Sequence, residues 1–229
     1  MQVIVPLAGE DFISSSGEIK ALIRFQGKFL LKHLLDSRPW NLYLTSIAFI
    51  LLDTTATRQF ASKYLLNWYP QCKIVYLSST TQGAALSALT GIGLASNLDA
   101  PIIVDLADIS YKSGLDITAE FGLSPRCGAI ALIFQSDKPC YSYLRTDKYG
   151  FFCEAAEKKV ISSHASTGTY IFKNISTYLK ALAYCIDNSE IYTYKNLHYV
   201  CPLLNGIKAQ GLSVLLEPVS EVVDIKSET

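Results

Sequence analysis

Asp105 and Asp108 lie three residues apart at the end of the apolar run PIIV. Carboxylates at the end of a buried strand cost free energy unless they are hydrogen-bonded or hold a cation. A pair at this spacing suits Mg²⁺, which takes one or two protein carboxylates and completes its shell with water or phosphate oxygens. The same spacing also suits a strand-end turn in which aspartate caps the chain. A second group opens the sequence: the apolar strand QVIVP runs into Leu7, Ala8 and Gly9, a polar loop spans 10–19, and Lys20 follows. A glycine turn at the carboxyl edge of a sheet offers backbone N–H groups to an anion, and Lys20 would supply a cation there. This layout also begins any first strand–helix unit of a doubly wound domain. The third group is Thr81-Gln82-Gly83-Ala84-Ala85. A helix whose first turn is built from Gly and Ala lets a phosphate or a flat ring approach its backbone, although small residues also serve helix-on-sheet packing. His33, His164 and His198 show no spacing that suits a triad or a zinc site and read as structural.

The elements that must hold these residues alternate through the first half. Strands are expected at 46–53 (SIAFILLD), 73–77 (KIVYL) and 101–108 (PIIVDLAD). Helices are expected from Gly27-Lys28 through FLLKHLL, at 55–69 and at 81–97. Alternation of this kind implies a parallel sheet with right-handed crossovers. From about residue 127 the pattern changes to short strands (GAIALIF, YSYLR, GFFCEA, STGTYIF), helices near 175–186 and 198–210, and the closing runs LSVLLEPV and EVVDI. The second part reads as a mixed-sheet half laid over the first. No linker or repeat interrupts 1–229, so a single domain is expected, with a first lobe at 1–126 and a second at 127–229.

Composition narrows the function classes. Half of the 229 residues are apolar, enough for a sizeable core. Twenty basic residues balance twenty acidic ones, which leaves no net charge to draw the molecule to nucleic acid or an anionic membrane. A small-molecule ligand is the expectation. Six cysteines (72, 127, 140, 153, 185, 201) stand singly, without CxxC or metal-finger spacing, and read as buried or incidental thiols. No stretch reaches the roughly 18 apolar residues of a spanning helix, and the first apolar run is a short strand rather than a leader. Membrane insertion is not expected, and a cytoplasmic protein is.

The segments VIVPLAG, GEIKALIRFQGKFLLKHLL, TQGAALSAL, PIIVDLAD, EAAEKKVISSHASTGTYIF, HYVCPLLNGIKAQG and VVDIKSE follow one another in this order. In order and spacing the chain resembles the nucleotidyltransferases that couple an NTP to a sugar 1-phosphate, and most of all their short bacterial members associated with capsule and surface polysaccharide. The resemblance implies an α/β fold: one nucleotide-diphospho-sugar transferase domain, GT-A or Rossmann-like, with a mixed central sheet. It also implies Mg²⁺ as cofactor and, as partners, an NTP and a phosphorylated acceptor. The two lobes would then bind nucleotide and acceptor respectively, and assembly into a homo-oligomer stays open.

Carried over by position, the resemblance assigns Lys20 to the nucleotide phosphates and the leaving pyrophosphate. Asp108 and Asp224 become the metal ligands, with Asp105 a lesser candidate. Glu157 would hold a sugar hydroxyl and Lys158 the sugar phosphate, while Gly150, Thr167 and Gly168 would meet the sugar through their backbone. Leu7, Ala8, Gly9, Gln82 and Gly83 would line the nucleoside pocket. One segment departs from the family. Its loop normally carries more glycines and an arginine for the β- and γ-phosphates, whereas here it reads GEDFISSSG over 9–17. Glu10 and Asp11 are expected to repel a triphosphate, with Arg24 or Lys28 as substitute cations. The implied chemistry is in-line attack of an acceptor phosphate oxygen on the α-phosphorus. Two alternatives stand beside it: a catalytically degenerate nucleotide-binding relative, suggested by the loop, and a metal-dependent glycosyltransferase using Asp105 and Asp108.

Overall fold

The computed structural model describes residues 1–40 and 46–224. Its strands are β1 (Gln2–Pro6), β2 (Arg24–Phe25), β3 (Lys28–Phe29), β4 (Ser46–Leu52), β5 (Lys73–Leu77), β6 (Ile102–Asp105) and β7 (Ile109–Lys112). They continue with β8 (Cys127–Gln135), β9 (Tyr143–Thr146), β10 (Phe152–Ala156), β11 (His164–Phe172), β12 (Ser213–Pro218) and β13 (Ser220–Asp224). The helices are α1 (Leu30–Asp36), α2 (Thr55–Phe60), α3 (Leu66–Trp68), α4 (Ala84–Ile92), α5 (Ile117–Leu123), α6 (Ile175–Asp187), α7 (Ser189–Tyr192) and α8 (Leu203–Ala209). A π-helical stretch over Ala61–Leu65 joins α2 to α3.

β1 lies at the centre because its side chains are apolar on both faces. It pairs in parallel with β4 on one edge and β6 on the other, and β5 extends the sheet beyond β4. The period-2 alternation of a strand sends Val3, Val5, Phe49, Leu51 and Ile103 to one face, under α1 and α2. It sends Ile4, Ala48, Ile50, Ile102 and Val104 to the other, under α4, α6 and α8. Burial on both faces explains why these strands read as continuous apolar runs.

The second part of the chain does not lie over the first, as its strand pattern had suggested. β11 pairs antiparallel with β6, so the same sheet continues edge to edge. β11 is the hub of this extension: it pairs with β8 along one edge, and its other edge meets β9 at Ala165 and then β6 from Thr169 to Phe172. β8 in turn carries β12 in parallel. Among the described residues nine strands form this one mixed sheet, and β13 and β7 form a small antiparallel pair beside it.

Three elements differ from expectation. The helix expected from Gly27-Lys28 starts at Leu30. Gln26 and Gly27 both take positive φ, a tight hairpin turn, so Lys28-Phe29 becomes a strand paired with Arg24-Phe25. The helix expected over 198–210 begins only at Leu203, and that over 81–97 spans Ala84–Ile92. Residues 225–228 of the closing motif lie outside the described residues.

Candidate active site

A cleft of about 780 Å³ opens where the carboxyl ends of β1 and β6 meet the β11 side of the sheet. Open α/β sheets bind ligands at such an edge. Leu7, Ala8, Gly9, Lys20, Gly83, Asp108, Glu157, Lys158, Thr167, Gly168 and Asp224 all line it. Residues dispersed from 7 to 224 are thus brought to one surface. Two expected contacts stand outside the lining. Gln82 is exposed and uses its carbonyl to accept from the His198 N–H at 2.8 Å. Gly150 sits at the exposed β9–β10 turn, where its N–H donates to the Asp147 carbonyl at 3.1 Å.

The floor of the cleft is built at the end of β6. The Lys20 ammonium lies 3.7 Å from an Asp108 carboxylate oxygen and 3.4 Å from Asp11. Asp11 of the acidic loop therefore pairs with the lysine. Phe12 explains why: it is buried and packs edge-on against Phe60 at 5.6 Å, pinning Glu10–Phe12 as a short 3-10 turn on the rim. Neither substitute cation reaches the cleft. Arg24 donates to the Gly27 carbonyl at 3.0 Å and stacks on Phe29 at 4.0 Å, and Lys28 belongs to the same hairpin.

Asp105 is not available as a metal ligand. Its carboxylate accepts from Arg38 Nε at 2.6 Å and Nη2 at 3.0 Å, and both side chains are completely buried. Burial opposes the guanidinium charge, but Asp105, together with Tyr111, outweighs it and raises the Arg38 pKa. Arg38 also donates to the Ile109 carbonyl at 3.0 Å, and Asp105 accepts from the Ala107 N–H at 2.8 Å. The clamp grips the chain on both sides of Asp108 and leaves that carboxylate facing the cleft.

Asp224 arrives by strand pairing. In the β7–β13 ladder it stands opposite Ile109, the residue after Asp108. The Tyr141 hydroxyl donates to its carboxylate, and burial, reinforced by that bond, raises the tyrosine pKa. On the opposite wall Glu157 accepts from the Ser142 hydroxyl. Thr167 and Gly168 occupy the register break of β11 between Ser166 and Tyr170. Gly168 has φ +82°, and its carbonyl accepts from the Leu106 N–H at 3.0 Å, tying this wall to the β6 turn. Gly83, at φ +111°, is required by close approach: a Cβ there would lie 2.3 Å from the His198 carbonyl oxygen.

Several lining residues carried no sequence signal. Lys138, Tyr141, Ser142 and Tyr199 enter from the second part of the chain, and Thr80 and Ser87 from the loop after β5 and from α4. Cys140, read as an incidental thiol, is exposed and also lines the cleft, whereas Cys127, Cys185 and Cys201 are buried as expected. Among the described residues, the lining holds lysines 20, 138 and 158 against Glu10, Asp11, Asp108, Glu157 and Asp224, an excess of two negative charges.

Solved structures share this architecture. A nucleoside-diphosphate-sugar pyrophosphorylase from Vibrio cholerae superposes with a TM-score of 0.80 at 21% identity, over 98% of this chain and 95% of that one. The inositol-1-phosphate CTP transferase from T. maritima matches with a TM-score of 0.67 at 12% identity, over 100% of this chain and 91% of the other. The chain has their fold. No family model matches the sequence, and no curated protein matches it. No helix among the described residues is long and apolar enough to cross a membrane.

Proposed function

We propose that the protein transfers a nucleotidyl group from an NTP to a sugar 1-phosphate or similar phosphorylated acceptor and releases pyrophosphate. The observation that carries this reading is the shared cleft: Lys20, Asp108 and Asp224 on its floor face a wall made of Glu157, Lys158, Thr167 and Gly168. Such a reaction needs little covalent chemistry from the protein; positioning and charge neutralisation suffice.

The donor set fits a hard divalent cation. Asp108 and Asp224 offer carboxylate oxygens at one end of the cleft, and the negative excess of the lining leaves a triphosphate in need of a countercharge. Mg²⁺ held by these two residues would neutralise phosphate charge at the reacting phosphorus. Lys20 exchanges Asp11 and Asp108 for the phosphates of the bound NTP and then for the departing pyrophosphate. The backbone at Gly9 and Gly83 lines the side of the cleft on which the nucleotide would lie. Lys158 orients the acceptor phosphate, and Glu157, steadied by Ser142, accepts from an acceptor hydroxyl. An activated sugar of this kind would serve surface polysaccharide synthesis, and the cytoplasm is where NTP is supplied.

The test is pyrophosphate release from the purified protein with Mg²⁺, each of the four common NTPs and a panel of sugar 1-phosphates. One pair should stand out. One observation favours a second reading, nucleotide binding without turnover: Asp11 occupies the lysine that would serve the phosphates. NTP binding with no pyrophosphate from any pair would select it. A glycosyltransferase reading would have to rest on Asp108 without Asp105, which is committed to Arg38.

A further inference from the structure

The Lys158 ammonium lies 5.5 Å from the ring centroid of Tyr194 and 5.8 Å from that of Tyr199. Both distances fall within the range in which an aromatic face attracts a cation. The two rings meet edge to face at 6.2 Å, so they form one continuous aromatic surface. This surface has a firm base. Tyr194 and Leu197 exchange both backbone hydrogen bonds around Lys195 and Asn196, which take positive φ, as in a tight hairpin. The following residue, His198, donates its N–H to the Gln82 carbonyl and accepts from the Ala85 N–H at 3.0 Å. The hairpin therefore runs from the start of α4 to Lys158, and Leu197 and Tyr199 line the cleft along the way.

We infer that Tyr194 and Tyr199 are positioning residues: they hold the Lys158 ammonium at the cleft wall so that it receives the acceptor's phosphate group. The inference rests on the proposed transferase reading for the identity of that group. Its physical basis is the difference between two ways of holding a lysine. A carboxylate partner cancels the positive charge and must be displaced before a phosphate can bind, as Asp11 and Asp108 must be at Lys20. An aromatic face orients the ammonium but leaves its charge in place, so a phosphate dianion can add to the complex without displacing anything. Lys158 itself has φ +49°, which fixes the direction in which its side chain leaves the backbone.

The experiment follows Lys158 directly. The full chain is reductively methylated with ¹³C-formaldehyde, and the dimethyl-lysine resonance of residue 158, assigned with Lys158→Arg, is titrated with inorganic phosphate. In the native protein this resonance should be displaced by the ring currents and should move on titration. In Tyr194→Leu/Tyr199→Leu the displacement should vanish and phosphate affinity at this site should fall about tenfold, the order of the cost of fixing a lysine side chain that the rings no longer pre-position. Tyr194→Phe/Tyr199→Phe should keep both, since the rings remain. Lys195→Ala, which removes the other ammonium near Tyr194, should change neither. Equal phosphate affinity in the leucine and native proteins, or a native resonance with no ring-current displacement, would overturn the inference. Failure of the transferase reading would look different: a ring-dependent phosphate site with no pyrophosphate release from any NTP and sugar phosphate.

Discussion

Removing Arg38 should be among the most damaging single changes in this protein. In Arg38→Met the Asp105 carboxylate keeps its buried position, with no exposed side-chain surface, but loses a two-pronged partner at 2.6 and 3.0 Å. Leaving one member of a buried ion pair uncompensated costs about 3–5 kcal/mol. The lost hydrogen bond to the Ile109 carbonyl adds about 1 kcal/mol. Against a typical total stability of about 5–15 kcal/mol, this is a large fraction. With a urea m-value of about 2–3 kcal/mol/M, the unfolding midpoint should drop by about 1–3 M. The assay is equilibrium urea unfolding followed by tryptophan fluorescence and circular dichroism. Arg38→Met/Asp105→Leu removes both charges and should recover most of the loss, because apolar replacement of a buried pair is often neutral. A single variant within about 1 kcal/mol of the native protein, or a double variant less stable than the single one, would refute this reasoning.

The other predictions concern the cleft and pH. Asp108→Asn and Asp224→Asn should each lower turnover by about 10²-fold or more with little loss of stability, and excess EDTA should abolish it; native rates in both variants would remove the metal from the mechanism. Lys20→Ala should act mainly on NTP or pyrophosphate, and Lys158→Ala mainly on the acceptor, each by about 2–4 kcal/mol in kcat/KM; initial rates with each substrate varied in turn separate the two. Burial holds His198 and His33 below the ordinary histidine value of 6.5, so the unfolded chain binds more protons below that pH. Stability should therefore be complete above about pH 6.5 and decline as pH falls through it, with a flatter decline in His198→Gln; urea midpoints measured from pH 7.5 to 5 check the slope, and identical slopes would contradict it.

Much of the sheet was legible because its central strands are buried on both faces. KIVYL at 73–77 is observed over those same residues, and SIAFILL over 46–52. The hairpin at 24–29 was missed because the apolar spacing of FLLKHLL suggested an earlier helix start. The two-residue turn Gln26-Gly27 carried the contrary signal. The helix after residue 198 starts late because the His198 backbone is bonded to Gln82 and Ala85, and Pro202 stands at the N-cap position. At the cleft, strand ends and glycines drew notice in the sequence, and Gly9, Gly83, Asp108 and Gly168 all line it. The role of Asp105 was not, because its partner Arg38 lies 67 residues away and only the fold brings the two together. The same holds for Tyr141 at Asp224, 83 residues apart, and for the tyrosines beside Lys158.

In the proposed reaction the nucleotidyl group, with its α-phosphorus, passes intact from an NTP to an acceptor phosphate in this cleft. Following the label from [α-³²P]NTP, with Mg²⁺ and the acceptor selected by the pyrophosphate screen, tests it most directly. The label should appear in a sugar nucleotide, with one pyrophosphate released for each labelled product. The labelled product should disappear in Asp108→Asn. Label recovered as free nucleoside mono- or diphosphate, or entirely as unreacted NTP, would contradict the proposed reaction.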